Sequence, residues 1–464
     1  MGRGHLRSRE HIHRSLAGFP RRKDASFSLP ARYLRADSPL TSVSTIGISP
    51  DPVPGSASPV SIRRHGGFTL SSVSSGTVMR IEPMSIWIDD DLLLDLRSRI
   101  RATRWPEAAP GEAWGQGTDL AYLKGLLDYW AGQFDCRAQV RRLNEFHHFR
   151  ADVDGARVHF VHERADRRGG IPLILTHGWP SSFAEFLPLV PLLTDPQGHG
   201  IDGPAFDVVI PSLPGYGFSE RPAGTGVTTR STARRWHTLM RGLGYERYGA
   251  QGADFGAGVT TYMALDDPDP MLGIHLSTPE VPPYTGPGSR PLSADERRFV
   301  DRNRQWSDVE RGYSAIQSTK PQTLGYGLND SPAGLAAWIV EKWRSWSDSS
   351  GDLDAHVSRD FLLTVITLYW VTQTITSSMR DYVDNRWFGM PIGPDDFVTV
   401  PTAIANFANH FVAEGEPPRE WFERLYNVRQ WTPMRRGGHF AAAEEPELLA
   451  RDIAMFFANL ANGG

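Results

Sequence analysis

One cysteine, Cys136, stands among 464 residues. A lone thiol excludes a disulfide framework and any cysteine-cluster metal site. Long apolar runs are missing too: no stretch approaches the roughly 20 apolar residues that span a bilayer. Neither basic patch near the start, Arg21-Arg22-Lys23 or Arg63-Arg64, leads into an uninterrupted apolar run of roughly 7–15 residues, so a secretory signal is not expected. The chain lacks a strong charge of one sign, with a net charge of -4, and has no internal repeats.

What is present divides in two. Residues 1–80 carry 12 Lys and Arg against 4 Asp and Glu, with 15 Ser and no Trp, which leaves a net charge of -12 on the remainder. The leader reads as disordered, with prolines at 50, 52, 54 and 59 against any long helix. Disorder, or an upstream extension of the reading frame with translation starting at Met79 or Met84, is favoured over a targeting or interaction tail. The acidic body intersperses its basic residues with acids, so no nucleic-acid partner is expected. With 40% hydrophobic and 11% aromatic residues, and 14 Trp, the chain can build a sizeable core.

A helix is expected to open at Asp89-Asp90-Asp91, which supply a cap, and to carry Leu92, Leu93, Leu96 and Ile100 at helical spacing until Trp105-Pro106 stops it. A second helix runs about 120–134, and 146–149 and 158–162 look extended. Residues 81–165 therefore form a wrapping segment. From 166 to 280 strands and helices alternate: strands at 171–176, 206–211, 248–251 and 273–276, helices at about 230–243 and through Met263. That order predicts an α/β protein with a mostly parallel central sheet. Residues 281–395 interrupt it with a helical, aromatic insertion read as a lid, containing Trp306, Trp338, Trp343, Trp346, Tyr369, Trp370 and Trp387. The sheet resumes over 396–464, with strands at 397–402 and 428–434 and a last helix from Pro446.

Three motifs carry chemistry. Gly252-Ala253-Asp254-Phe255-Gly256 lies between a strand and a helix, the setting of a strained turn that lifts its central side chain above the sheet. That side chain is Asp, not Ser. A carboxylate displaces at a saturated carbon and forms an ester that water can cleave; a serine would leave an ether. Esterase, lipase and peptidase chemistry are thereby disfavoured. His439, in Gly437-Gly438-His439-Phe440, follows a strand and precedes the final helix, where a general base could reach Asp254. His177-Gly178-Trp179-Pro180 ends an earlier strand, so the backbone N–H groups of Trp179 and Phe255 could form an oxyanion hole. Pro180 is a candidate for a cis bond. Asp266-Asp267-Pro268-Asp269 reads as a solvated loop, and His147-His148 lacks a partner at metal spacing. No cofactor or metal is called for.

Together with Trp105-Pro106, Gly312-Tyr313, Thr319-Lys320-Pro321 and Asn329-Asp330-Ser331-Pro332, these motifs make roughly 85–460 resemble epoxide hydrolases of the α/β-hydrolase fold, in the microsomal-like branch with an N-terminal epoxide hydrolase domain. The resemblance implies conversion of an apolar epoxide to a vicinal diol. Asp254 would be the nucleophile and His439 the base, with Tyr313 and Tyr382 (after Ser377-Ser378-Met379-Arg380-Asp381) activating the epoxide oxygen. A carboxylate should orient His439; Glu414 is chosen, ahead of Glu416 and Glu280, because the matching position falls on His410 counted forward from Val400-Pro401 but near Glu414 counted back from Pro418-Arg419-Glu420-Trp421, which implies a short insertion. A haloalkane dehalogenase would share Asp254 and His439 but commonly uses an indole where Phe255 stands. A ligand-binding relative without turnover is the non-enzyme alternative. The expected partners are an epoxide and water, without a membrane anchor, in the cytoplasm. A role in detoxification follows from the same resemblance, and pairing into a homodimer is left open.

Overall fold

The computed structural model describes residues 79–166, 169–279, 281–409 and 417–462. Nine strands form one sheet: β1 (Ile81–Met84), β2 (His148–Val153), β3 (Ala156–Glu163), β4 (Ile171–Thr176), β5 (Phe206–Pro211), β6 (Tyr248–Ala253), β7 (Met271–Thr278), β8 (Val398–Asn409) and β9 (Tyr426–Gly438), in the order β1-β2-β3-β5-β4-β6-β7-β8-β9. The pairings from β1 to β5 through β2 and β3 are antiparallel; those from β5 through β4 and β6 to β9 are parallel. The parallel strands are covered on both faces. Leu173, Ile174, Val208, Val209, Ala250, Ile274 and Ile404 are fully buried, which explains their near-continuous apolar character. Helix Pro446–Asn462 packs Leu449, Ile453, Phe456 and Phe457 against this sheet, as their spacing predicts.

The segment before the parallel strands contains the two expected helices, with three local differences. Helix Asp90–Arg101 buries Leu93, Leu96 and Ile100, and its acidic first turn and basic last turn suit its dipole. Asp89 is its N-cap by position, yet its side chain makes no cap bond; it accepts from the Trp87 indole N–H at 3.0 Å instead. The helix also ends at Arg101, ahead of Trp105-Pro106. The Ala102 and Thr103 N–H groups close the last turn on Ser98 O and Ile100 O, so the proline is not what terminates it. Helix Leu120–Gly132 is capped by Asp119 and buries Leu123, Leu126, Leu127 and Trp130. A short helix, Cys136–Leu143, was not anticipated; Asp135 caps it, and eight residues give little periodic signal.

Residues 294–388 are helical: Ala294–Glu310, Gly312–Gln317, Pro321–Asp330, Pro332–Trp346, Arg359–Thr372 and Ile375–Phe388. The wrapping segment is bonded to this layer. Tyr122 Oη donates to Asp354 at 2.7 Å, Tyr129 Oη to Asp360 at 2.9 Å, and the Trp130 indole to Thr367 Oγ1 at 3.0 Å. Among the described residues no helix is long and apolar enough to cross a membrane.

Candidate active site

The site is assembled at the carboxyl ends of the parallel strands, where an open α/β sheet presents its loops. Thr176, the last residue of β4, pairs with Gly252 of β6. The loop from His177 and the turn at Asp254 therefore leave the sheet side by side. Asp254 has φ 54° and ψ -127°, a strained backbone for a residue with a Cβ. Its own N–H is held by Thr278, through Oγ1 at 2.8 Å and the carbonyl at 3.3 Å. The turn is also tight: a Cβ at Gly256 would lie 1.8 Å from the Thr176 carbonyl oxygen, and one at Gly178 2.3 Å from the Asp254 side chain. Glycine is required at both places by close approach.

The Asp254 carboxylate is held asymmetrically. Oδ1 accepts from the backbone N–H of Trp179 at 2.9 Å and of Phe255 at 2.6 Å. These are the two donors expected for an oxyanion hole, and Asp254 is at the same time the N-cap of helix Phe255–Asp266. Oδ2 lies 3.5 Å from His439 Nε2. His439 follows β9 directly; its N–H donates to the Trp346 carbonyl at 2.8 Å, and its ring sits 5.0 Å from that of Trp346 and 4.9 Å from Phe440. Asp254 and His439 are both almost wholly buried.

Both tyrosines are brought to the same place from the helical layer. The Tyr313 ring stacks on Trp179 at 5.5 Å and lies 5.2 Å from Trp346. The Tyr382 ring meets Trp179 edge-on at 5.8 Å and Phe255 at 4.9 Å, and the two phenols are 5.9 Å apart between centroids. The Trp179–Pro180 peptide is cis. Six of the seven expected site residues thus converge: Asp254, His439, Trp179, Phe255, Tyr313 and Tyr382. Glu414, its alternatives Glu416 and Glu280, and His410 lie outside the described residues, as does residues 1–78 of the leader.

Three ionisable groups in this neighbourhood escaped the sequence reading: Glu185 and Lys342, both buried, and Glu444, half-buried. Glu444 accepts from the N–H groups of Gly438 at 3.1 Å and Phe440 at 3.0 Å, so one carboxylate clasps both neighbours of His439, and it also takes the Asp348 N–H at 2.7 Å. Burial raises its pKa to about 7 against the pull of those bonds. Glu185, 3% exposed, is likewise raised by burial to about 7, in the electrostatic field of His439 and Asp254. Lys342 is 5% exposed on helix Pro332–Trp346. An acid in the first turn after Gly-His-Phe could have signalled Glu444; the other two sit in helices where charge ordinarily means surface. His177, fully buried, has its pKa lowered to about 4 by desolvation and receives the Leu213 N–H on Nε2 at 3.2 Å, a packing role.

Two family models match this chain: the epoxide hydrolase N terminus over residues 81–186 and the alpha/beta hydrolase fold over 171–334. Epoxide hydrolase 1 of Sus scrofa is 38% identical over 408 residues, covering 81% of this chain and 88% of that protein. The crystal structure of juvenile hormone epoxide hydrolase from the silkworm Bombyx mori superposes with a TM-score of 0.70 at 29% identity, over 85% of this chain and 96% of that one. The Aspergillus niger epoxide hydrolase structure gives 0.71 at 28% identity, over 84% and 97%. With the fold, the motif order and these likenesses in agreement, the chain belongs to the epoxide hydrolase family of α/β-hydrolase-fold enzymes.

Proposed function

We propose that the protein opens an apolar epoxide through a covalent ester on Asp254 and hydrolyses that ester to a vicinal diol. The observation that carries this reading is the asymmetric hold on the Asp254 carboxylate, with Oδ1 on two backbone N–H groups and Oδ2 facing His439 Nε2. Oδ2 attacks an epoxide carbon. As the ring C–O bond breaks, its oxygen takes a proton from a tyrosine, Tyr313 or Tyr382, since an unassisted alkoxide leaves poorly at neutral pH. His439 then removes a proton from water, which adds to the ester carbonyl carbon. The charge that develops on Oδ1 is met by the Trp179 and Phe255 N–H groups, already in place. Collapse expels the diol, and the proton freed by hydrolysis restores the tyrosine.

Glu414 is the acid we assign to orient His439. The support is positional: β8 is paired with β9 up to Asn409 opposite Gly438, one residue before His439, and Glu414 lies in the segment that follows. The helices of 281–395, which supply Tyr313 and Tyr382, act as the lid over the substrate. Aromatic walls from Trp179, Trp346 and Phe255 favour an apolar substrate.

The test is trapping. Incubation with a terminal aryl epoxide should give the His439→Gln variant a stable mass adduct at Asp254, and Asp254→Ala neither adduct nor diol. Rapid diol formation by either variant would overturn the assignment. Measuring halide release from a haloalkane in parallel separates this activity from dehalogenation.

A further inference from the structure

Lys342 is placed where packing alone would not put a charge. Its helix, Pro332–Trp346, buries Leu335, Ala336, Ile339, Val340 and Trp343, and a buried ammonium in such company is costly unless something compensates it. Glu341 on the same helix pairs with it. The second compensation is aromatic: Nζ stands 4.7 Å from the Tyr313 ring centroid and 5.6 Å from that of Trp346. Tyr313 is itself 6% exposed, so water screens this contact little.

We propose that Lys342 is a positioning residue for ring opening, whose ammonium, held over the Tyr313 phenol, stabilises the tyrosinate left when Tyr313 gives its proton to the epoxide oxygen. This rests on the assignment of Tyr313 as a proton donor. In that step the Tyr313 Oη–H bond and an epoxide C–O bond break while an Asp254 Oδ2–C bond and a new O–H bond form. A negative phenolate then replaces a neutral phenol beneath the cation. The attraction of a cation to a neutral ring becomes the attraction of a cation to an anion, and the interaction is stronger after proton transfer than before it. Such a difference lowers a barrier, where equal binding of both states would not. The other ionisable groups around this pair are Tyr382, 5.9 Å from Tyr313 between ring centroids, Glu341, paired with Lys342, and Asp254 and His439, which contact Trp179 and Trp346, the two indoles packed on Tyr313.

The experiment follows ester formation on Asp254 by rapid quench and mass spectrometry, with a terminal aryl epoxide, across pH. Lys342→Met should slow this step about tenfold at pH 7, the size expected of a desolvated cation at a ring face. The alkaline limb of the rate profile reports loss of the tyrosine proton. Without the cation Tyr313 holds its proton more tightly, so that limb should move upward by about one unit. Lys342→Arg keeps the charge and should stay near the native rate. In a Tyr313→Phe background Lys342→Met should add no further loss. A native rate and profile in Lys342→Met would overturn the proposal. So would an equal loss in the Tyr313→Phe background, which would mark the effect as packing. If Tyr313→Phe formed the ester as fast as the native chain, the proton-donor reading would fall first, and the role of Lys342 with it.

Discussion

At the scale of single residues, the site is dominated by groups whose burial changes what they are. Glu185 is the clearest case, because desolvation raises its pKa to about 7 from an ordinary value near 4.3 in an unfolded chain. Between those two values the folded protein holds a proton that the unfolded chain has released. Stability contributed by this group is therefore full at low pH and is lost as pH rises through that window. Glu185→Gln, which keeps the shape and stays neutral, should melt near the native temperature at pH 4 and above it at pH 8. Thermal unfolding at the two pH values checks this, and an equal shift at both would mean that the carboxylate is ionised throughout. The charged residues that escaped prediction share this origin. Glu185, Lys342 and Glu444 have side chains that are ordinarily solvated, and only the fold draws them in from solvent beside Asp254, Tyr313 and His439. Asp254 and His439 were legible because their glycine-rich surroundings are local demands of a tight turn.

At the scale of elements, legibility tracked how much of each element was set locally. Strands β4 and β5 have the bounds expected, being short apolar runs ended by turn chemistry. Strands β8 and β9 run longer than the expected 397–402 and 428–434, to Val398–Asn409 and Tyr426–Gly438. Pro433, Arg435 and Arg436 break the apolar pattern, and it is mutual parallel pairing that extends both. Helix Leu120–Gly132 shows the opposite limit, since Leu123, Leu126, Leu127 and Trp130 recur at helical spacing and are the residues it buries. Because Leu126 on that face is fully buried and belongs to a helix that carries none of the proposed catalytic groups, Leu126→Ala should cost about 2–5 kcal/mol in a denaturant titration. Turnover per folded molecule should stay as it was. A loss of turnover without a loss of stability would show that the wrapping segment reaches into the chemistry.

At the scale of the whole molecule, the change in charge coincides with the start of the family match. The matched family region begins at residue 81, where the basic, serine-rich stretch ends and the acidic body begins. Within that body the wrapping helices and the helical layer are tied by Tyr122–Asp354, Tyr129–Asp360 and Arg99–Asp330. A second clamp joins the layer to the far end of the sheet. Glu296, fully buried, accepts from Arg424 Nε at 2.5 Å and from Arg290. Burial alone would raise the Glu296 pKa, yet Arg424, the Ser293 N–H and Arg290 push it down to about 2. The two phenols and the Asp254 carboxylate thus belong to different layers held in register by partnered, mostly half-buried contacts. Long-range ties of this kind have no signature in a local sequence pattern.

The two backbone donors on Oδ1 also fix the fate of individual oxygen atoms. In the proposed mechanism the oxygen held by Trp179 and Phe255 is not the one that attacks, so each catalytic cycle should export the oxygen at the Oδ2 position and replace it from water. In heavy-oxygen water the first diol released would carry no label, and later ones would carry one atom each. Asp254 itself should settle at a single heavy oxygen, its Oδ1 unexchanged after many cycles, as mass analysis of the peptide containing it can read. Two heavy oxygens there would mean that the carboxylate turns over between cycles.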